Sequence, residues 1–273
     1  MRYFAPAITM MLFTTAARGD RMPDYGPLTR AAVSDIVVIG TVTDIDKDSI
    51  EAKAHPGATE KTKFTIATVK IETNIRGAKN LTHLKVGFYP GASGTGRQDK
   101  FPLLKQGEEV CVFLTKHPDA NFYVYPLLAP PVPVTENSKA MLERLKRGAA
   151  TFGDPAKALK SDKAGDRTEA ACFLLMQYRN PHPGREVTTA KVPLVESQAL
   201  LKALAEADWT KADGELDPGL IFVNLGITGH AKFVKIQPKP GEDLKVLWRA
   251  EFQRWLPVDG KEFQIEKFVP KEK

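Results

Sequence analysis

The spacing of hydrophobic residues changes about halfway along the chain. Between residues 35 and 126, β-branched and aromatic residues form short runs and alternations that predict β-strands. The five predicted strands are 36–42, 64–72, 84–88, 110–115 and 122–125. Gly40 inside the first strand predicts a bend, and the change of alternation within the second predicts a β-bulge near Ala67. Five curved strands predict a small closed barrel.

From residue 135 onwards the apolar positions follow the helical period instead. A first helix is predicted to end at Gly148, because glycine favours helix C-termini. Asp154 is the predicted N-cap of a second helix that Pro155 begins. Asp166 and Glu169 have the spacing of a capping box at the start of a third helix.

The last hundred residues combine both patterns. Two further helices, 200–204 and 244–255, and two short strands, 220–225 and 233–236, are predicted there. Pro257 ends the second of these helices. Trp248 and Trp255 are seven residues apart and therefore share one helix face. We predict that both indoles lie in the core, with a groove for a partner as the alternative.

A proline-rich segment separates the two patterns. Residues 126–133 contain four prolines and predict a semi-rigid extended linker. The fold class predicted is therefore α+β: a five-stranded OB-like β-barrel domain, residues 28–134, followed by a mainly α-helical domain, residues 135–273. The helices that begin near Pro155 and Arg167 are similar to one HEAT-type helical hairpin.

The first residues have the pattern of a secretory signal peptide. Residues 3–17 are largely apolar and follow Arg2, while Ala17 and Gly19 occupy the −3 and −1 positions of a small-x-small cleavage site. Cleavage after Gly19 would remove residues 1–19. The apolar run is too short to span a bilayer, so we expect an exported mature chain without membrane insertion.

Several pieces of the first half resemble secreted bacterial OB-fold domains related to the netrin and metalloproteinase-inhibitor modules. They are Gly40-Thr41-Val42 at the end of the first strand, Arg76-Gly77 after the second, and Gly107-Glu108 before the fourth. The resemblance covers residues 31–126 and implies an OB fold. Inhibitors of this type chelate a protease metal through a cysteine at the mature N-terminus. Since this chain has no cysteine there, the resemblance does not imply inhibition by that mechanism.

Charge and cysteine content narrow the function further. The net charge is +6, but lysines alternate with acids along the chain. Such a mixed surface argues against a nucleic-acid partner.

The two cysteines, Cys111 and Cys172, lie in apolar runs. Two buried thiols are the preferred interpretation, and a disulfide between them remains open.

Candidate chemical motifs are incomplete. Residues 91–98 have the glycine spacing of a phosphate-binding loop, but Arg97 and Gln98 replace its lysine and hydroxyl residue. The alternation of Asp44, Asp46 and Asp48 lacks the glycine and glutamate of a calcium loop. A second acidic group, Asp208, Asp213, Glu215 and Asp217, has no recognised spacing. The five histidines fit no zinc pattern. No catalytic, cofactor or metal-binding residue is therefore assigned.

The sequence thus predicts an exported, non-catalytic binding protein whose partner is another extracytoplasmic protein or a small ligand. The alternative is an extracytoplasmic hydrolase with its site in the cleft between the two predicted domains. An enzyme should show a concave pocket with convergent acids or histidines, whereas a binding module should show an exposed apolar or aromatic surface.

Overall fold

The computed structural model describes residues 25–53, 59–88, 104–125, 131–182, 185–211 and 214–271, and the chain is α+β. The strands are β1 (Ile36–Ile45), β2 (Ile50–Lys53), β3 (Lys61–Arg76), β4 (His83–Phe88), β5 (Glu109–Lys116), β6 (Tyr123–Val124), β7 (Val132–Pro133), β8 (Val187–Lys191) and β9 (Glu266–Pro270). The helices are α1 (Pro27–Val33), α2 (Lys139–Gly153), α3 (Pro155–Ala158), α4 (Ala164–Arg179), α5 (Leu194–Glu206), α6 (Pro218–Asn224) and α7 (Leu244–Trp255).

Five strands form a closed ring of pairings. The order is β1-β3-β4-β6-β5, and β5 pairs with β1 to complete it. All pairs in the ring are antiparallel except β4 with β6. These are the five strands predicted from the sequence. The additional short strands β2 and β7 pair with β3 and β5.

The irregularities of the ring differ partly from the prediction. The pairing of β1 with β3 shifts register at Gly40, where the bend was predicted, and a Cβ there would lie 2.2 Å from the Lys70 carbonyl oxygen. The bulge predicted near Ala67 is confirmed in part: the pairing of β3 with β4 runs unbroken through Ala67, but the pairing of β3 with β1 shifts register between Val42 and Asp44, opposite Val69 and Thr68, so the extra residue lies on β1. The alternation changes because Phe64 packs against Phe122 on one face of β3, while Ala67 lies in the cluster on the other.

The ring has an apolar interior and shares its outer face with the helices. Val38 and Val112 belong to the interior cluster. Val37, Cys111 and Phe113 instead belong to a large cluster that continues through α2, α4 and α5 to α7. The ring and the helices are thus joined by one continuous core, and the division into domains 28–134 and 135–273 stays a prediction.

The predicted boundaries at Asp154 and Gly148 can be compared with the structure. Asp154 is the N-cap of α3, since its Oδ1 accepts from Lys157 N at 3.0 Å. The predicted end at Gly148 is wrong, because α2 continues to Gly153. Gly148 provides space for the Phe173 ring, which would lie 2.6 Å from a Cβ at this position.

The predicted capping box is also wrong. Helix α4 begins two residues before Asp166, so Asp166 lies in the first turn and does not cap it. Its carboxylate accepts from Ser161 Oγ at 3.2 Å, and Glu169 pairs with Arg147. Both acids join α4 to the segments before it.

The predicted strands 220–225 and 233–236 are wrong. Residues 220–224 lie in α6, which begins at Pro218 with Asp217 as its N-cap. A short apolar run has no period that separates strand from helix, and the Asp-Pro pair is the signal that decides it. Residues 233–236 form no regular element. The strands β8 and β9 pair with each other near the chain end.

The predicted core positions are confirmed. Trp255 is fully buried, and Trp248 packs, partly buried, against the same cluster. Cys111 and Cys172 are both buried thiols, not joined by a disulfide. Burial raises the pKa of the Cys111 thiol to about 12, although the nearby Arg30 opposes the shift.

Three predicted segments are not compared with the structure. The signal segment 1–19, the glycine-rich loop 91–98 and most of the linker 126–133 lie outside the described residues. Within the described ranges, the helices lack an apolar stretch long enough to traverse a bilayer.

Candidate functional site

A concave surface surrounds the short helix α3. Its largest hollow has a volume of about 1020 Å³ and lies between the end of α2, α3 and the start of α4. Four alanines and one threonine contribute to its wall: Ala150, Ala156, Ala158, Ala170 and Thr151. These small side chains leave the space open.

Two smaller hollows adjoin the first along α5. One, of about 400 Å³, lies between the α3–α4 connection and residues 199–206, and the other, of about 490 Å³, lies between α3 and residues 193–199. Lys160 lines all three hollows. We call the three together the α3 groove. The volumes of the two smaller hollows are within the range of about 300 to 1,000 Å³ that is common for small-molecule sites, and that of the first is at its upper limit.

Most carboxylates of the α3 groove are already engaged. Asp154 caps α3, and Glu206 pairs with Arg167 at 2.6 Å. Asp166 accepts from Ser161, and Glu169 accepts from Arg147 Nε at 3.1 Å. An acid held in this way is poorly placed to exchange a proton with a substrate.

Three lysines of the α3 groove differ from its acids in their ion pairing. Lys157, Lys160 and Lys202 form no ion pair with any residue in the described part of the chain. All three are exposed. The α3 groove therefore offers ammonium groups to a ligand while its acids are mostly used internally.

A second polar cluster lies where the ring meets the helices. Asp35, directly before β1, accepts from Thr115 Oγ1 and from Arg185, both at 2.6 Å. Arg76, at the end of β3, donates to the last carbonyls of α1. His182 places Nδ1 3.0 Å from the Val33 carbonyl oxygen. We call these residues the junction cluster.

The histidine of this cluster has a defined tautomer. Because a carbonyl oxygen can only accept, Nδ1 of His182 carries the proton and Nε2 is left as an acceptor. Burial lowers the pKa of His182, and the neighbouring guanidinium groups of Arg185 and Arg76 lower it further, while Asp35 opposes the shift. The neutral imidazole is therefore the stable form in the fold.

This shift predicts acid sensitivity. The pKa of His182 is lower in the folded state than its ordinary value of 6.5, so the unfolded chain binds more protons below that pH. The contribution of His182 to stability is complete above about pH 6.5 and is lost as pH falls toward the folded-state pKa. Urea unfolding at pH 7.5 and 5.5 should show a smaller difference in the free energy of unfolding for His182→Gln than for the wild type. Equal differences would contradict this assignment.

Three acids of the second acidic group have partners within the fold. Glu215 accepts from the backbone N–H groups of Leu28 and Thr29 at the start of α1. Asp217 caps α6 and pairs with Lys245, and Asp208 accepts from Thr210. Asp213 lies outside the described residues. The described part of the chain holds no group of three or more histidines, cysteines or acids that could bind a metal.

No sequence pattern indicates the α3 groove. Its walls are alanines and its cations are scattered lysines, which in a sequence look like an ordinary solvated helix surface. The junction cluster was equally hidden, because its members come from four separate parts of the chain.

Comparison with known proteins adds no assignment. No known protein family matches the chain, and no curated protein matches it in sequence.

Proposed function

We propose that the protein is a non-catalytic binding protein of the extracytoplasmic space and that its binding site is the α3 groove. The observation that carries the proposal is three adjoining hollows with walls of small side chains and ammonium groups that form no ion pair with the described residues. Such a surface can hold a ligand by contact and charge without contributing a reacting group.

The state of the acids favours binding over catalysis. A general acid or base must be able to exchange a proton with a substrate. Most acids of the α3 groove instead cap a helix or accept from arginine, serine or tyrosine side chains, with Asp162 as the exception. Their arrangement supports a rigid wall and not a reaction centre.

We further propose that the ring is an OB-like barrel of the netrin and metalloproteinase-inhibitor type. The cyclic pairing of five strands supports this, as do two glycines of the resemblance, Gly77 and Gly107. Both have positive φ angles, 78° and 86°, which a turn of this kind requires and other residues seldom adopt. Export is supported by the apolar segment 3–17 with its small residues.

The alternative hydrolase has one observation in its favour. His182 lies between the ring and the helices, its Nε2 is an acceptor, and an acid, Asp35, lies close enough to influence its pKa. A neutral histidine oriented by a carbonyl oxygen is a suitable general base. However, Asp35 is held by Thr115 and Arg185.

The binding proposal is tested by filling the groove. Ala156 lines two of the three hollows, so Ala156→Trp should block them. The control is Thr188→Trp, a substitution at an exposed residue of β8. Each protein is equilibrated with a mixture of random twelve-residue peptides, separated by gel filtration, and the retained peptides are measured by mass spectrometry.

We expect the wild type and Thr188→Trp to retain the same peptides and Ala156→Trp to retain at least tenfold less. Equal retention by all three proteins, or no retention by the wild type, would contradict the proposal. Hydrolysis of chromogenic ester or peptide substrates that disappears in His182→Gln would favour the hydrolase instead. Export is tested separately by the intact mass of the secreted product, which should begin at Asp20.

A further inference from the structure

One end of the α3 groove is distinctly apolar. The hollow of about 490 Å³ is bordered by Pro155, Leu159, Pro193, Val195 and Ala199. Val195 is 85% exposed, more than any other large hydrophobic residue in the described part of the chain. A nearly free valine beside two prolines offers an apolar side chain of a ligand a site that needs no rearrangement.

The neighbouring end is basic. Lys160 and Lys202 border the hollow of about 400 Å³, which also shares Leu159 and Ala199 with the apolar hollow. The arginine of this hollow, Arg167, is held by Glu206 and by the carbonyl oxygen of Ser161. The two lysines are therefore the cations that remain available to a ligand.

The acids around this surface keep their negative charge where their donors are neutral, so the charge balance depends on which hollow each acid borders. Glu196 accepts from the Tyr178 hydroxyl, Glu206 pairs with Arg167, and Asp154 caps α3. Asp162 alone keeps a carboxylate that accepts no hydrogen bond from the described residues. Glu196 and Asp154 border the apolar hollow, whereas the hollow of about 400 Å³ has Lys160, Lys202 and Arg167 against Asp162 and Glu206. This end therefore has one positive charge in excess, which favours an anionic group.

The spacing of the two ends sets the shape of the ligand. Val195, Ala199 and Lys202 are at positions i, i+4 and i+7 of α5 and therefore lie on one face. The rise from Val195 to Lys202 is about 10.5 Å, and the flexible lysine side chain shortens the distance to be bridged. In an extended peptide, side chains at i and i+2 share a face about 6.6 Å apart.

We propose that this surface binds an extended peptide segment in which a large apolar residue is followed, two positions later, by an aspartate or glutamate. The apolar side chain packs on Val195 between Pro155 and Pro193, and the carboxylate accepts from Lys160 and Lys202. The inference rests on the proposed function, because it uses the same α3 groove and specifies its ligand.

The test uses fluorescence anisotropy with the full mature chain. The probe is a peptide with fluorescein on its N-terminal amine, fluoresceinyl-Gly-Ser-Leu-Thr-Glu-Ser-Gly-amide, and the matched peptides replace its Leu with Ser or its Glu with Gln. We expect each replacement to weaken binding at least tenfold. Binding should also weaken as salt is raised from 50 to 500 mM, because the ion pairs are exposed to solvent.

The protein variants locate the site. Lys160→Glu combined with Lys202→Glu should weaken binding of the probe at least tenfold, and Val195→Asp should do the same. Lys85→Glu, at an exposed residue of β4 on the ring, should leave binding unchanged. All of these positions are on the surface, so the variants should fold, which circular dichroism checks.

Two outcomes would overturn the inference: no binding of the probe by the wild type, or equal weakening by Lys85→Glu and by the groove variants. If the probe fails but Ala156→Trp still abolishes retention of other peptides, the ligand class is wrong and the proposed function stands. If Ala156→Trp has no effect on retention of any peptide, the proposed function itself fails.

Discussion

Replacing Trp255 with alanine is expected to lower the free energy of unfolding by about 3 to 5 kcal/mol. The side chain is fully buried and has rings on several sides, with Phe252, Phe233 and Phe263 at centroid distances of 5.6 to 6.3 Å. Gly260 packs so closely that a Cβ would lie 2.5 Å from the indole. A cavity here cannot collapse easily, so the cost should be near the upper part of that range.

Two variants provide the comparison. Trp248 is only partly buried, and its ring centroid lies 6.4 Å from that of Phe222. Trp248→Ala should therefore lower the free energy of unfolding clearly less than Trp255→Ala. Trp255→Phe should also cost less, because the indole N–H is buried without a hydrogen-bond acceptor among the described residues and its loss removes an unsatisfied group. Urea unfolding followed by circular dichroism measures all three. Equal losses for the two alanine variants would mean that the aromatic cluster is assigned incorrectly.

This pair of tryptophans shows what a sequence pattern can and cannot provide. Their spacing of seven residues is enough to predict a shared face of α7 and burial. The spacing cannot tell which of the two indoles is more deeply buried. That depends on rings contributed by α6 and by residues 230 and 263. Such contacts are long-range and leave no periodic trace along the chain.

The same distinction holds for the rest of the fold. The five ring strands were predictable because alternation is a local signal, and Asp154 was a predictable cap because an N-cap precedes its helix directly. The boundary at Gly148 was not, since its glycine makes room for Phe173 from another helix. Residues 220–224 were misassigned because five apolar residues carry no distinguishing period.

Neither candidate site could be predicted in the same way. The α3 groove is a space between helices, and a space is defined by what small side chains leave unfilled. The junction cluster combines Asp35, Arg76, Thr115, His182 and Arg185, none of which is within two residues of another. Only the folded chain brings these groups together.

The second large effect is expected at the ion pair of Asp217 and Lys245. The Asp217 side chain is 5% exposed, caps α6 through Gly219 N and Leu220 N, and accepts from Lys245, which is 32% exposed. Lys245→Met leaves a buried carboxylate with only two backbone donors. The expected loss is about 3 kcal/mol, the lower end for breaking a buried pair, because the lysine is partly solvated.

A double-mutant cycle separates the ion pair from the cap. Asp217→Asn preserves an acceptor for the two backbone N–H groups, and adding it to Lys245→Met removes the unpaired charge. We therefore expect the double variant to be more stable than Lys245→Met alone, with a coupling energy of about 1 to 3 kcal/mol from urea unfolding at pH 7. A coupling energy near zero would show that Lys245 contributes by packing its methylene groups against Gly219, where its Cδ would lie 3.3 Å from an added Cβ, and not by its charge.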